Sequence, residues 1–215
     1  MIDKKIVIVD YDVGNVRSVE NAIKEVSEYE VLISSDPDDI RAADGLILPG
    51  VGAFGDAMAS LERTNLIPVL KDKVLEQKTP LLAICVGMQI LFESSEEGNV
   101  DGLGWLPGKV QKFDVPSDFS VPHLGWNNIS ILNDQWLFAD MEVDKNFYFA
   151  HSYHAETNAS LVVATCEYGV TFPAVVRDRN IVGIQCHPEK SHRVGLTFLR
   201  NFISQFDVIG GAVHA

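Results

Sequence analysis

Four apolar runs, each three or four residues long and each followed by a turn or helix signal, constrain this chain more than any other feature. They are Ile6-Val7-Ile8-Val9, Val31-Leu32-Ile33, Leu46-Ile47-Leu48 and Leu81-Leu82-Ala83-Ile84. Hydrophobicity that is continuous rather than alternating marks a strand buried on both faces. After the first run, Gly14-Asn15 breaks the chain, and Val16, Val19, Ile23 and Val26 follow at helical spacing. Asp36-Pro37-Asp38-Asp39 ends the second run as a solvated turn or helix start, and Pro49-Gly50-Val51-Gly52 ends the third. Residues 56–77 read as mostly helical with an interruption near Pro68, and Met88, Leu91 and Phe92 share a helical face after the fourth run. Strands alternating with helices in this way predict an α/β fold, a doubly wound, mostly parallel sheet with flanking helices, flavodoxin-like in plan.

The texture changes from Gly98 to Gln185. Prolines 107, 116, 122 and 173 and many β-formers replace the helices. Short strands are expected at Lys109–Phe113, Ile129–Leu132, Phe147–Ala150, Leu161–Cys166, Ala174–Arg177 and Ile181–Gln185, read as an antiparallel extension of the same sheet. Leu196, Leu199, Ile203 and Phe206 form the stripe of a closing helix. With no Gly/Ser linker between the halves, residues 1–207 read as a single domain and 208–215 as a flexible tail.

Composition removes several function classes. Thirty acidic against 17 basic side chains give a formal charge of −13, which works against nucleic acid or an anionic membrane as partner. The longest apolar stretch, Leu81 to Phe92, is about a dozen residues, too short to span a bilayer. The N-terminus lacks a signal-peptide pattern, and three widely spaced cysteines form no disulfide framework, so a reducing, cytoplasmic setting is expected.

Chemistry concentrates where the fourth run ends, at Ala83-Ile84-Cys85-Val86-Gly87. A buried strand that meets a nucleophile and then a helix at once is a nucleophile elbow: small neighbours allow the sharp turn, and the helix aims free N–H groups at the sulfur. A structural cysteine at a strand end is the alternative. A thiol needs a base and an orienting group. His187, in Gln185-Cys186-His187-Pro188-Glu189, lies just past another apolar strand, where such sheets place their sites, and Glu189 is close enough to hold its ring. The glycine-rich turn at 49–52 has neither dinucleotide spacing nor a Walker lysine and is better read as a second oxyanion donor. His151 and His154, three apart on a strand, face opposite sides, so no metal site is expected. His123, His192 and His214 have no constellation, and Cys166 and Cys186 read as packed small hydrophobes.

Pro49-Gly-Val-Gly, Cys85-Val-Gly-Met-Gln89 and His187-Pro-Glu189, in this order, resemble the class I (triad) glutamine amidotransferases. Asp10-Tyr11…Gly14-Asn15-Val16-Arg17-Ser18-Val19, Pro122-His123-Leu124-Gly125-Trp126-Asn127, 147–153 and His187-Pro-Glu-Lys-Ser191 narrow the resemblance to the HisH group, the glutaminase subunits of imidazole glycerol phosphate synthase. It runs from about Ile6 to Phe206. The resemblance implies that Cys85 attacks the side-chain amide of L-glutamine, that His187 is base and then acid, and that Glu189 orients it. It implies an oxyanion hole at Gly52 and the Val86 N–H, and glutamine binding by Gln89, Glu97, His151, Ser152 and Tyr153. Asn15 and Lys190 match positions at the family's subunit interface. No cofactor is implied. Ammonia would pass to a HisF-type (β/α)8-barrel cyclase in a heterodimer, yielding imidazole glycerol phosphate and an aminoimidazole carboxamide ribotide. Such an enzyme gains by idling until its acceptor binds, which an oxyanion N–H turned away until partner contact would achieve.

The chain departs from the pattern at four positions. Ala83 replaces a usual Gly, Val86 a usual Leu, Asp12 a commoner Gly and Cys186 a usual Phe. These leave open a HisH-like paralogue serving another synthase, for instance in amidino-sugar synthesis. A non-catalytic regulatory partner and a cysteine hydrolase or peptidase are further alternatives. The intact triad argues against the first of these, and the Pro-His-x-Gly-Trp-Asn segment against the second.

Overall fold

A computed structural model describes residues 4–141 and 145–206; the tail at 208–215 lies outside them. The first half alternates strand and helix: β1 (Lys5–Val9), α1 (Val16–Val26), β2 (Glu30–Ser34), α2 (Pro37–Ala42), β3 (Gly45–Gly50), α3 (Phe54–Arg63), α4 (Ile67–Lys71) with a π turn at Asp72–Glu76, β4 (Leu81–Cys85) and α5 (Val86–Gln89). The second half is β-rich: β5 (Ser94–Ser95), β6 (Val100–Asp101), β7 (Lys109–Lys112), β8 (His123–Ile131), β9 (Asn146–His151), β10 (Tyr153–Glu156), β11 (Val162–Tyr168), β12 (Val170–Asp178) and β13 (Ile181–Ile184), closed by α6 (His192–Ser204).

One sheet of nine strands runs in the order β2-β1-β3-β4-β13-β12-β11-β8-β9. Its β2-β1-β3-β4-β13 half is parallel throughout, and the rest is antiparallel. The four continuous runs are the parallel strands β1 to β4. Every residue of β3 and β4 is buried, because helices cover both faces.

Three expectations need correction. The strand at 181–184 is not an antiparallel addition: it pairs parallel with β4, Ile181 opposite Leu81, after the intervening chain has crossed the sheet. The strand at 109–112 belongs to a second sheet, β10-β7-β5-β6, whose two-residue strands β5 and β6 are too short to leave a periodic signal. The interruption expected near Pro68 falls at 64–66, and the proline itself opens α4, where its missing N–H costs nothing. The helix after the fourth run is also a single turn, 86–89, so Leu91 and Phe92 enter the core from a turn.

β4 therefore has β3 on one side and β13 on the other, and all three end at the same sheet edge. Gly50 lies opposite Cys85 across that edge.

Candidate active site

The chain reverses sharply at Cys85, which takes φ 55° and ψ −113°. A non-glycine residue is strained there and persists only when its surroundings impose it. They do so here through close backbone packing. A Cβ on Gly87 would lie 2.0 Å from the Leu48 carbonyl oxygen, so only glycine lets α5 rest on β3. The Tyr11 hydroxyl donates to the Pro49 carbonyl at 2.6 Å and pins the end of β3. A one-turn helix presents its free N–H groups to the sulfur but adds little macrodipole, so a positive charge beside the sulfur has to come from a neighbouring side chain.

His187 is that neighbour. Beyond β13 the His187 N–H donates to the Tyr148 carbonyl at 2.9 Å, and the Ser191 hydroxyl donates to the His187 carbonyl at 2.5 Å. Pro188–Lys190 then form a 3-10 turn. A Cβ on Gly195 would meet the Pro188 oxygen at 1.9 Å, so a glycine in α6 is what allows the turn to fold back. Glu189 thereby reaches the ring, with His187 Nδ1 2.8 Å from Oε1 and both side chains almost wholly buried. A carboxylate only accepts, so Nδ1 carries the proton and Nε2 is left for Cys85, with which the ring also hydrogen-bonds. Burial alone would depress the imidazole. Hydrogen bonds and charge from Cys85 and Glu189 outweigh it and hold the ring up at about 9. The arrangement favours the charged imidazolium at neutral pH, with its Nε2 side toward the sulfur. Glu189 Oε2 is buried without a partner.

A pocket of about 370 Å³ opens over Cys85. Gly52, Val86, Gln89, Glu97, His151, Ser152, Tyr153, His187 and Lys190 all line it. Glu97 accepts from the Phe54 N–H at 2.8 Å, which ties the loop after β5 to the start of α3. Lys190 holds its ammonium 5.8 Å from the Tyr148 ring centre. Gly52, at φ 90°, has open space on its Cβ side. Both ring nitrogens of His151 are engaged, by Tyr153 O at 2.8 Å and His123 at 3.1 Å, so this segment meets the pocket with its other groups. Asn15 is exposed at the start of α1 and does not line the pocket. His192 stacks on Trp126 at 5.0 Å, also away from the lining. Cys166 and Cys186 are buried, and burial pushes their thiols up, Cys166 to about 12. Among the described residues no cluster of three or more His, Cys, Asp or Glu fits a metal ion. None of the helices there is long and apolar enough to cross a membrane.

Two residues of this region escape sequence reading. His123 sits 2% exposed in β8, directly opposite His151. Gln185 is fully buried, with its amide 3.8 Å from Cys85 Sγ. The usable signal was a polar amide at the end of an apolar run, two residues before His187 and so on its face of an extended chain.

Residues 7–206 match the family described as glutamine amidotransferase class-I. A Vibrio vulnificus protein named imidazole glycerol phosphate synthase subunit HisH 2 is 51% identical over 200 residues, covering 93% of this chain and 94% of its own. The Moorella thermoacetica protein named imidazole glycerol phosphate synthase subunit HisH is 43% identical, covering 98% and 100%. Among solved structures, a chain of PurLQS from Thermotoga maritima superposes with a TM-score of 0.70 over 97% of this chain and 99% of its own at 20% identity, a likeness of fold alone. With a family match across nearly its whole length and relatives this similar end to end, the chain belongs to the class-I glutamine amidotransferases and, within them, to the HisH group.

Proposed function

We propose that Cys85, His187 and Glu189 form the triad of a glutaminase that feeds ammonia to a HisF-type (β/α)8-barrel cyclase, the two chains working as a heterodimer. The observation that carries this reading is the buried His187 ring, hydrogen-bonded to the Glu189 carboxylate at 2.8 Å on one side and to Cys85 on the other. The thiolate attacks the side-chain carboxamide of L-glutamine. The N–H groups of Gly52 and Val86 receive the oxyanion. His187 gives its Nε2 proton to the departing ammonia, leaving a γ-glutamyl thioester. Water, deprotonated by the same ring, then releases glutamate. The pocket lining supports glutamine contacts from Gln89, Glu97 and the 151–153 segment.

A partner is supported by exposed apolar side chains: Leu124, 64% exposed, and Val51, 38%, line the pocket, and Trp126, 45%, follows Leu124 on the same strand. Ammonia released to water would protonate to a non-nucleophilic ammonium, so a dry hand-over between subunits preserves its reactivity. The relatives' names favour the imidazole-forming acceptor over another synthase. Three free cysteines fit a reducing, cytoplasmic setting. Asn15 and Lys190 are assigned to the partner-facing side, and the chain to 207 to a single amidotransferase domain. The test is glutamate release by the chain with its barrel partner, with and without the phosphoribulosyl nucleotide. Strong stimulation by the nucleotide supports both chemistry and acceptor. Stimulation by the partner alone, indifferent to nucleotide, moves the acceptor elsewhere.

A further inference from the structure

The hydrogen-bond partners of the Gln185 amide fix which of its ends is the oxygen and which the nitrogen. The Tyr153 carbonyl can only accept, and it takes a hydrogen bond from Gln89 Nε2 at 2.9 Å. The second hydrogen on that nitrogen points to Gln185 at 3.0 Å and needs an acceptor, so Oε1 of Gln185 lies there. Its Nε2–H then faces Cys85 Sγ at 3.8 Å. The same carbonyl also receives His151 Nδ1–H at 2.8 Å, which makes His151 Nε2 an acceptor. His123 Nδ1–H must fill it at 3.1 Å. Asn127 Nδ2 is 3.4 Å from the remaining His123 nitrogen and also donates to Glu167 O at 3.0 Å. Backbone carbonyls therefore set the polarity of a continuous chain from β8 to the sulfur.

We propose that Gln185 is a further residue of the catalytic site: its amide donates to the Cys85 thiolate, and the Gln89–Tyr153–His151–His123 chain keeps it turned that way. The proposal rests on the glutaminase reading of Cys85. It explains why a fully buried position just past β13 carries an amide, whose desolvation is compensated only if both of its ends are bonded. The titratable groups acting on Cys85 are His187, Tyr11 and Cys186, and Gln185 adds the neutral donor among them.

The experiment is iodoacetamide alkylation of Cys85 in the complex, across acidic to alkaline pH, with Gln185→Met as a donor-free side chain of similar length. Loss of a hydrogen bond to a charged acceptor displaces the rise of alkylation with pH upward by about one unit, so the variant reacts about tenfold more slowly on that rising limb. An unchanged profile in a variant that melts like the unmodified protein overturns the proposal. Should the Met variant not fold, the unmodified chain still decides. The Gln185 side-chain amide resonances move with the alkylation step and stay still in Cys85→Ala; resonances indifferent to pH overturn the proposal. Failure of the glutaminase reading is told apart because it appears as absent glutamate release, which neither readout requires.

Discussion

Glu189→Gln separates charge from orientation at the triad. The amide oxygen can still accept from His187 Nδ1, and its NH2 would occupy the place of Oε2, which has no partner now. Geometry is therefore kept while the negative charge is lost. Holding the ring at about 9 in place of 6.5 corresponds to roughly 3 kcal/mol of preference for the charged ring, in spite of burial. Cys85 and Glu189 share that preference, so removing one carboxylate should bring the ring down by about one to two pH units. The imidazolium is the acid that protonates departing ammonia, so activity on the alkaline side requires it. The expected outcome is an alkaline limb of glutamate release that begins near 9 in the unmodified complex and moves toward about 7 to 8 in the variant. Below that limb, turnover falls by up to about 10⁴-fold, the cost of the equivalent carboxylate-to-amide change in a Ser-His-Asp triad. The profile belongs to the coupled Cys85–His187 pair, so both limbs must be recorded. An alkaline limb that stays near 9 in Glu189→Gln would refute the assignment of the charge to Glu189.

Cys85→Ala should abolish glutamine use while the complex still makes product from ammonium salts at high pH; loss of ammonia-dependent synthesis as well would contradict the division of labour. Gly87→Ala places a methyl 2.0 Å from the Leu48 oxygen, between two main chains that cannot yield cheaply. It should lower stability by about 1–3 kcal/mol in denaturant unfolding and reduce glutamate release more than binding of the partner. His123 and His151 are held neutral by burial, at about 4 and about 3. As pH falls below 6.5 the unfolded chain takes up protons that the folded chain refuses, so stability is lost toward pH 4. In His123→Asn, the slope of stability against pH in that window should be shallower by up to about 1.4 kcal/mol per pH unit, read from urea unfolding.

The parallel core was legible because burial on both faces leaves unbroken apolar runs, and burial is what the sheet demands of β1, β3 and β4. The elbow was legible for a related reason: Cys85-Val86-Gly87 juxtaposes a strand ending with a residue that lacks a Cβ, and the Leu48 carbonyl accounts for that absence. Direction was not legible. A strand reads the same whichever way it runs, so Ile181–Ile184 could be recognised without revealing that it returns parallel to β4 and delivers residues 185 and 187 to the edge carrying Cys85. The polar interior was hidden for a different reason. His123 and His151 are 28 positions apart and meet only because β8 and β9 pair in the register that sets them opposite one another. Their tautomers are then dictated by the Tyr153 carbonyl, a group that every residue carries and no sequence distinguishes. A buried amide or imidazole announces only that a partner must exist. In this fold the partner of one such amide is the sulfur, so the polar residue that ends the apolar run of β13 acts on the nucleophile.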